Sequence, residues 1–177
     1  ATMMNKVFEI IEAKKIFDLR YSQLEILIHP QSYLHAIVKF KNGLSKLLIH
    51  DTNMSIPIFN SLYPNFENII KSNKLDIIKL NDLNLHKVNS KRFPAISVIK
   101  KLKENDSLYE TIIVAANDSL VNLFIKKKIR FIDISIMLLK ILNKREFMEY
   151  MRIKPKNIAD ITKLSNYVSV KINSMSI

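Results

Sequence analysis

Three polar side chains near the start of the chain have the types and the spacing of an oxygen-rich binding site. Asn5, Glu9 and Glu12 follow one another at intervals of four and three residues, so a helix places them on one side. An amide and two carboxylates on one helix face can bind a hard cation or a polar substrate. We therefore predict an amphipathic helix over residues 3–17 with this polar face as a candidate site. Its other face is an apolar stripe of Met4, Val7, Phe8 and Ile11, flanked by Met3 and Ile10.

Alternating apolar residues after this helix predict a small antiparallel sheet. Residues 22–28 and 34–40 alternate as strands do, and His29-Pro30-Gln31-Ser32 interrupts them because a proline restricts the residue before it. Asn42-Gly43 then precedes a second apolar run at residues 44–49. This pattern predicts a hairpin, whose turn requires a positive φ at the single glycine of the chain.

The rest of the chain is predicted to hold a connection and a helical bundle. Residues 55–63 indicate a short helix with Pro57 in its first turn. Residues 64–91 are broken by Asn, Ser and Pro, and they offer at most short extended segments at 75–77 and 80–85. Later helices are expected over residues 94–103, 110–126 (the most buried), 134–143 (capped by Asp133) and 160–173.

These elements predict an α/β (α+β) portion with a mainly antiparallel sheet, followed by an all-α C-terminal helical bundle. We assign the first part to residues 1–63, a linker to 64–91 and the bundle to 92–177. Hydrophobic residues make up 48% of the 177-residue chain, which is enough to bury a core.

Composition excludes several classes of protein. The absence of Cys excludes a disulfide scaffold and a thiolate metal site, and the longest apolar run, residues 112–116, is far too short for a membrane span. The net charge of +12 is nearly all Lys, with only five Arg, whereas phosphate and base readers favour Arg. Lys, Ile and Asn have AT-rich codons, so genome composition explains the excess. We expect neither a nucleic acid nor a membrane as partner, with a basic nucleic-acid binder as the alternative.

Several short motifs occur in the order and at the spacing typical of one enzyme family. Together they resemble the 1-deoxy-D-xylulose 5-phosphate reductoisomerases of the non-mevalonate isoprenoid pathway, over roughly residues 1–145. The motifs are Ala1-Thr2-Met3-Met4-Asn5-Lys6 followed by Glu-x-x-Glu-Ala, His29-Pro30-Gln31-Ser32 with His35, Asn53-Met54-Ser55-Ile56-Pro57-Ile58, Arg92-Phe93-Pro94, Ala115-Ala116-Asn117-Asp118 and Ile129-Arg130-Phe131-Ile132-Asp133-Ile134.

The resemblance implies roles for the polar face of the first helix. Glu9 matches a glutamate that ligates Mg²⁺ or Mn²⁺, and such a hard cation stabilises charge as it moves between neighbouring substrate oxygens. Asn5 and Lys6 match the pair that holds the hydroxyl and phosphate groups of the substrate. Glu12, one turn further on, either orients metal ligands or is a solvated side chain.

The resemblance also implies roles in the strand region. His35 matches a histidine near the active site, although a lone His facing a strand is often structural. Met54 matches a Met beside the nicotinamide of NADPH, with a core position as its alternative. His29 and Ser32 are expected to shape their turn, whereas His50 and His86 match nothing and are expected at the surface.

The sequence also departs from the family pattern. Val7 replaces a glycine, and residues 49–53 replace a stretch that contains Gly and Pro and ends in Asp. Val114 replaces an Asn and Asp118 replaces a Glu, both in the helical part, where a structural role is expected. The altered 49–53 stretch lies just before the residue expected to contact the cofactor.

The resemblance implies that this chain is the C-terminal part of a homodimeric enzyme that uses NADPH to convert a phosphorylated sugar. The family's NADPH-binding domain and its Asp-x-Glu metal ligands precede the matched region, and one glycine cannot form a dinucleotide fingerprint. We therefore expect the isolated chain to be inactive. The family implies a bacterial cytoplasm or a plastid-type organelle. The alternative is a non-enzymatic dimerisation or interaction remnant of a split or decayed reductoisomerase.

Overall fold

The computed structural model describes residues 2–65 and 68–175. Ala1 of the first motif, residues 66–67 of the expected linker and residues 176–177 lie outside the described residues. The α-helices are α1 (Met4–Phe17), α2 (Ser55–Leu62), α3 (Ile77–Asn81), α4 (Tyr109–Ile125), α5 (Phe131–Leu142), α6 (Arg145–Met148) and α7 (Ile158–Asn173), with 3₁₀ helices at Tyr21–Gln23, Pro94–Lys101 and Glu149–Arg152. The strands are β1 (Leu27–Ile28), β2 (Leu34–Lys39), β3 (Ser45–Ile49) and β4 (His86–Lys87).

The chain divides into two compact units. The helical unit comprises Ala1–Glu25 and Asn89–Ile177, and the strand unit comprises Ile26–Val88. The predicted fold class is confirmed, because short antiparallel pairs occupy the first half and helices follow. The predicted domain boundaries refer to a complete enzyme and stay a prediction, although α1 belongs to the helical unit.

The core of the helical unit lies around α4. This helix packs against α5 and α7, and α1 packs against the 3₁₀ helix Pro94–Lys101. As predicted, α4 is the helix with the most buried residues, although Val114 and Ile125 are exposed. Tyr109 donates its hydroxyl hydrogen to the carbonyl of Leu142 at 2.8 Å inside the core, and burial raises its pKa to about 12.

Helix α1 is amphipathic in the predicted sense. Met4, Val7, Ile10 and Ile11 are buried, whereas Phe8 of the predicted stripe is half-buried. The helix ends at Asp18, which adopts a left-handed conformation (φ 50°). The N–H of Leu19 then donates to the carbonyl of Lys14 at 3.1 Å, which satisfies one of the free carbonyls of the last turn.

The strand unit contains the predicted hairpin. β2 and β3 pair antiparallel, with Ile37 opposite Leu47, and Gly43 adopts φ +90° in the turn. Phe40 donates its N–H to the carbonyl of Leu44 at 2.8 Å, which closes the turn. A second antiparallel pair joins β1 to β4, so the sheet predicted as one consists of two separate pairs.

Two sequence predictions in the connecting regions were wrong. Residues 22–28 do not form one strand, because the N–H of Arg20 donates to the side-chain oxygen of Gln23 at 2.9 Å and a 3₁₀ turn forms there. The extended segment predicted at 80–85 is partly helical, because α3 starts after Asp76, whose carboxylate accepts the N–H of Lys79 at 3.0 Å. Local capping bonds override the weak alternation in both places.

Helix boundaries in the helical unit also differ from those predicted. The segment expected as a helix over 94–103 is the 3₁₀ helix Pro94–Lys101. α5 begins at Phe131, so Asp133 lies within the first turn and accepts the N–H of Arg130 at 2.9 Å. α7 begins at Ile158 after Asn157, whose side chain accepts the N–H of Asp160 at 2.9 Å. Helices α5 and α7 therefore start earlier than the acidic residues, Asp133 and Asp160, that suggested them.

Candidate functional site

The polar face of α1, formed by Asn5, Lys6, Glu9 and Glu12, is exposed along its length. Burial of Met4, Val7 and Ile11 on the other side fixes which side chains point outward. Asn5 and Lys6 lie in the first turn of a 14-residue helix, where backbone N–H groups favour anions. The exposed side chains therefore combine a cation and an amide near the helix start with carboxylates further along.

Lys6 and Glu9 contact each other on this face. Lys6 Nζ lies 2.7 Å from Glu9 Oε2, and the two side chains are 47% and 55% exposed. A salt bridge this open contributes at most about 1 kcal/mol, because water screens both charges. Both groups can therefore exchange this bond for a stronger one at low cost.

A groove of about 920 Å³ opens beside the polar face, between α1, α4 and α7. Glu12 lies at this groove together with Phe8 and Val114. At its rim, Lys15 Nζ contacts Asp106 Oδ1 at 2.7 Å and Glu110 Oε2 at 2.8 Å. The bond from Lys15 holds the pKa of Asp106 below its usual value. Burial works against the charge of Lys15, but the bonds to the two carboxylates raise its pKa. This cluster joins α1 to the start of α4.

The tyrosine that follows α1 joins the same ion cluster. The hydroxyl of Tyr21 donates to Glu110 Oε1 at 3.3 Å, and the backbone N–H of Tyr21 donates to Glu104 Oε1 at 3.1 Å. Burial, with the charge of Glu110, raises the pKa of Tyr21. The hydroxyl therefore stays protonated at neutral pH and acts as a structural donor between the end of α1 and α4.

His35 lies on β2 at an irregularity in the strand register between Leu34 and Ala36. Its ring stacks on that of His50, with centroids 3.6 Å apart and planes within 6° of parallel. His35 Nε2 lies 3.0 Å from the carbonyl oxygen of His50. His50, expected at the surface without a matching motif, is half-buried, with its ring against that of His35. Only the pairing of the strands brings the two histidines together, so no spacing signal could have found them.

The remaining candidates of the strand unit lie in turns and at a helix start. Met54 is 69% exposed just before α2, so it is not a core residue of its unit. His29 and Ser32 belong to a turn in which Ser32 has φ 52° and donates its N–H to the carbonyl of His29 at 3.1 Å. His86 is exposed on β4, as expected.

Within the described residues, no group of three or more His, Asp or Glu is arranged to hold a metal ion. Among these residues, the carboxylates of the polar face of α1 are therefore not part of a complete set of metal ligands. Among the same residues, no helix is both long and apolar enough to cross a membrane.

The fold and the motif residues define the class to which the chain belongs. The family model described as DXP reductoisomerase C-terminal domain matches residues 49–169. The chain therefore belongs to the 1-deoxy-D-xylulose 5-phosphate reductoisomerase family. The enzyme of that name from Pelagibacter ubique is 63% identical over the whole chain, and the one from Sulfurihydrogenibium sp. is 32% identical over 147 residues. The chain spans about half the length of these relatives, with 46% of the Pelagibacter sequence covered.

Solved structures of the same family share the fold. The reductoisomerase from Zymomonas mobilis in complex with NADPH superposes with a TM-score of 0.85 and 30% identity, over 100% of this chain and 46% of that one. A DOX-P reductoisomerase in complex with magnesium superposes with a TM-score of 0.81 and 25% identity, over 98% of this chain and 44% of that one. The whole chain, including both units, thus corresponds to one part of this larger fold.

Proposed function

We propose that this chain is part of an enzyme that rearranges 1-deoxy-D-xylulose 5-phosphate and reduces the product with NADPH to 2-C-methyl-D-erythritol 4-phosphate. Membership of the reductoisomerase family supports the proposal. The observation that carries it is the exposed pair of Lys6 and Glu9 on α1, beside Asn5, within the family motif. A helix face with only a structural role does not require Asn5, Lys6 and Glu9 to match the family motif.

Glu9 is the residue we propose as a ligand of Mg²⁺ or Mn²⁺. Its carboxylate is 55% exposed and offers the hard oxygen atoms that such ions prefer. A bound divalent cation supplies Lewis acidity that stabilises charge on substrate oxygens. The described residues hold no group of three ligands, and we propose that the preceding part of the enzyme supplies the further carboxylates. Glu12 is exposed one turn away, and we propose that it orients ligands or water without binding the ion.

Asn5 and Lys6 are the residues we propose for the substrate's hydroxyl and phosphate groups. An ammonium donates strong, charge-assisted hydrogen bonds to phosphate oxygens. Both residues lie in the first turn of α1, where the helix dipole adds to the attraction for an anion. Phosphate at Lys6 and a metal ion at Glu9 then bind at neighbouring positions of one polar face.

His35 and Met54 are the candidates that the strand unit contributes. We propose that His35 acts near the reacting atoms and that Met54 contacts the nicotinamide of NADPH. Both side chains are exposed, which supports these roles, because a side chain must be accessible to contact a ligand. With a single glycine the chain has no dinucleotide fingerprint, so the NADPH-binding domain is expected outside it. We place the enzyme in a bacterial cytoplasm, since the relatives named above are bacterial.

We further propose that the enzyme is a homodimer and that the β2–β3 hairpin belongs to the dimer interface. Both faces of the hairpin carry exposed apolar side chains: Ile37 and Leu47 on one, and Val38 and Leu48 on the other. Antiparallel sheets ordinarily cover one apolar face. An uncovered pair of faces with an open strand edge favours association.

The experiment that tests the proposed function uses a complete enzyme. The chain is joined to the preceding half of the Pelagibacter ubique relative, which is 63% identical over the shared region. With Mg²⁺, NADPH and 1-deoxy-D-xylulose 5-phosphate, this chimera is expected to oxidise NADPH, whereas the 177-residue chain alone is not. In the chimera, Glu9→Gln keeps the size of the side chain and removes its charge. We expect turnover to fall by on the order of 100-fold or more, since even changes beside metal ligands cost roughly 10–100-fold.

Two matched variants separate metal binding from general damage. Glu12→Gln, one turn along the same face, is expected to lower turnover less than Glu9→Gln. Glu149→Gln, at a side chain that is 67% exposed in another helix, is expected to change nothing. Activity of Glu9→Gln close to that of the unmodified chimera at limiting Mg²⁺ would show that the wrong carboxylate was assigned. An inactive chimera with intact folding would favour the remnant alternative.

A further inference from the structure

The rings of His35 and His50 stack on each other, and the family motifs do not account for this contact because they do not include His50. His35 lies at a register irregularity of β2, between Leu34 and Ala36, and irregularities of this kind can redirect a side chain. His50 directly follows β3, and its N–H donates to the carbonyl of Tyr33 at 3.3 Å. The backbone of both strands therefore fixes where the two rings meet.

The bonds of the two rings decide where their hydrogens lie. A carbonyl oxygen can only accept, so His35 Nε2, 3.0 Å from the carbonyl of His50, carries the hydrogen. His50 Nδ1 lies 2.6 Å from the carbonyl oxygen of Asp51 and carries the hydrogen for the same reason. Neutral His35 is thereby left with Nδ1 as its free acceptor.

We infer that His50 is a positioning residue that holds His35 in the Nε2–H form with Nδ1 available to a ligand or a proton. The importance of His35 for the reaction rests on the proposed function, whereas the contact between the two rings does not. Parallel rings at 3.6 Å restrict rotation of the His35 ring away from the carbonyl that accepts its hydrogen. His50 occupies a stretch, residues 49–53, that departs from the family pattern. The stack with His50 is thus a feature of this chain that favours one tautomer of His35, a residue of the family motif.

The tautomer of His35 can be measured without any turnover. In the full 177-residue chain labelled with ¹⁵N-histidine, the nitrogen shifts at alkaline pH are expected to show His35 mainly as Nε2–H. His50→Ala removes the ring that restrains His35 but keeps the backbone carbonyl. We expect it to lower the ratio of Nε2–H to Nδ1–H by roughly 2–10-fold, the loss expected of one stacking contact between aromatic rings. His50→Phe keeps a flat ring in the stack and is expected to restore the ratio.

Controls separate positioning from a change of fold. His86→Ala, at an exposed histidine of the same unit, is expected to leave the His35 shifts unchanged. Unchanged amide spectra outside the hairpin show that each variant folds. A His35 tautomer ratio that is the same in His50→Ala as in the unmodified chain overturns the inference, and so does a failure of His50→Phe to restore it.

Activity in the chimera distinguishes this inference from the proposed function. If His35 acts in the reaction, His50→Ala lowers kcat, His50→Phe restores part of it, and His50→Ala has no further effect when His35→Ala is present. A shifted tautomer with unchanged kcat leaves the positioning intact and refutes the proposed role of His35. A lowered kcat with an unshifted tautomer overturns the positioning.

Discussion

Lys6 Nζ lies 2.7 Å from Glu9 Oε2, so the cation proposed to hold phosphate and the carboxylate proposed to hold a metal ion partly neutralise each other. The pair is three residues apart on a helix, a spacing at which opposite charges attract weakly. A phosphate at Lys6 or a cation at Glu9 competes with this bond. Because the bond is exposed and contributes at most about 1 kcal/mol, it restrains both side chains without blocking either ligand.

Replacement of Lys6 tests the phosphate assignment. In the chimera, Lys6→Ala is expected to raise KM by roughly 10–100-fold, the loss expected of a hydrogen bond to a charged group, with a smaller change in kcat. The free energy of unfolding should change by less than about 1 kcal/mol, since the lost ion pair is exposed. Steady-state kinetics with varied substrate check this. Lys140→Ala, an exposed lysine of α5, serves as the control, and an unchanged KM in Lys6→Ala would contradict the assignment.

The ion cluster at Lys15 predicts a dependence of stability on pH. The bond from Lys15 lowers the folded-state pKa of Asp106 below the ordinary 3.8, so Asp106 stabilises the fold above that pH, and its contribution is lost as the pH falls through the lowered pKa. Asp106→Asn should therefore lower the free energy of unfolding at neutral pH by about 0.2–1 kcal/mol, since the side chain is 47% exposed. The difference should vanish once the pH lies well below the lowered pKa of Asp106.

Urea unfolding of both proteins at neutral and acidic pH measures the effect of Asp106→Asn. Asp18→Asn is the matched control, because Asp18 adopts a left-handed conformation that asparagine also tolerates. A difference between the unmodified chain and Asp106→Asn that is equally large at both pH values would mean that packing, not the ion pair, is responsible.

Packing around α4 should dominate the stability of the helical unit. Leu138 of α5 is fully buried, so Leu138→Ala leaves a cavity and is expected to lower the free energy of unfolding by about 2–5 kcal/mol. Ile132→Ala removes a side chain of similar size from the same helix, but Ile132 is 52% exposed, and a change within about 0.5 kcal/mol is expected. Denaturant unfolding followed by circular dichroism compares the two. Equal losses would show that α5 does not pack as described.

The apolar hairpin predicts how the complete enzyme associates. Leu48 is 57% exposed on β3, and Leu48→Glu places a charge on a face that a dimer would bury. Sedimentation velocity on the chimera should show a dimer that becomes largely monomeric in this variant. Lys41→Glu, at the exposed end of the hairpin, makes the same kind of charge change away from the two faces and should leave the dimer intact. A dimer that survives Leu48→Glu would exclude this face from the interface.

Much of the local structure followed from patterns within a few residues. The hairpin at Asn42-Gly43 and the helices α1 and α4 were predicted because turn chemistry and apolar periodicity act over short distances. The 3₁₀ turn at residues 21–23 was missed, because the local bond from Arg20 to Gln23 is joined by a bond from the N–H of Tyr21 to Glu104, far away in the sequence. Helix starts were misplaced at Asp133 and at Asp160, because an acidic residue can cap from inside the first turn, where these two accept the N–H groups of Arg130 and Lys156.

The sequence by itself determined the family and the composition of the candidate site. Motif order supplied Asn5, Lys6, Glu9 and His35, and periodicity supplied the side of α1 that points outward. Only the tertiary structure decided that α1 packs with the helical unit and that His50 stacks on His35. The physical reason is that such contacts depend on strand register and on the burial of apolar faces between distant segments. The spacing of residues along the chain does not directly indicate strand register or which apolar faces pack together.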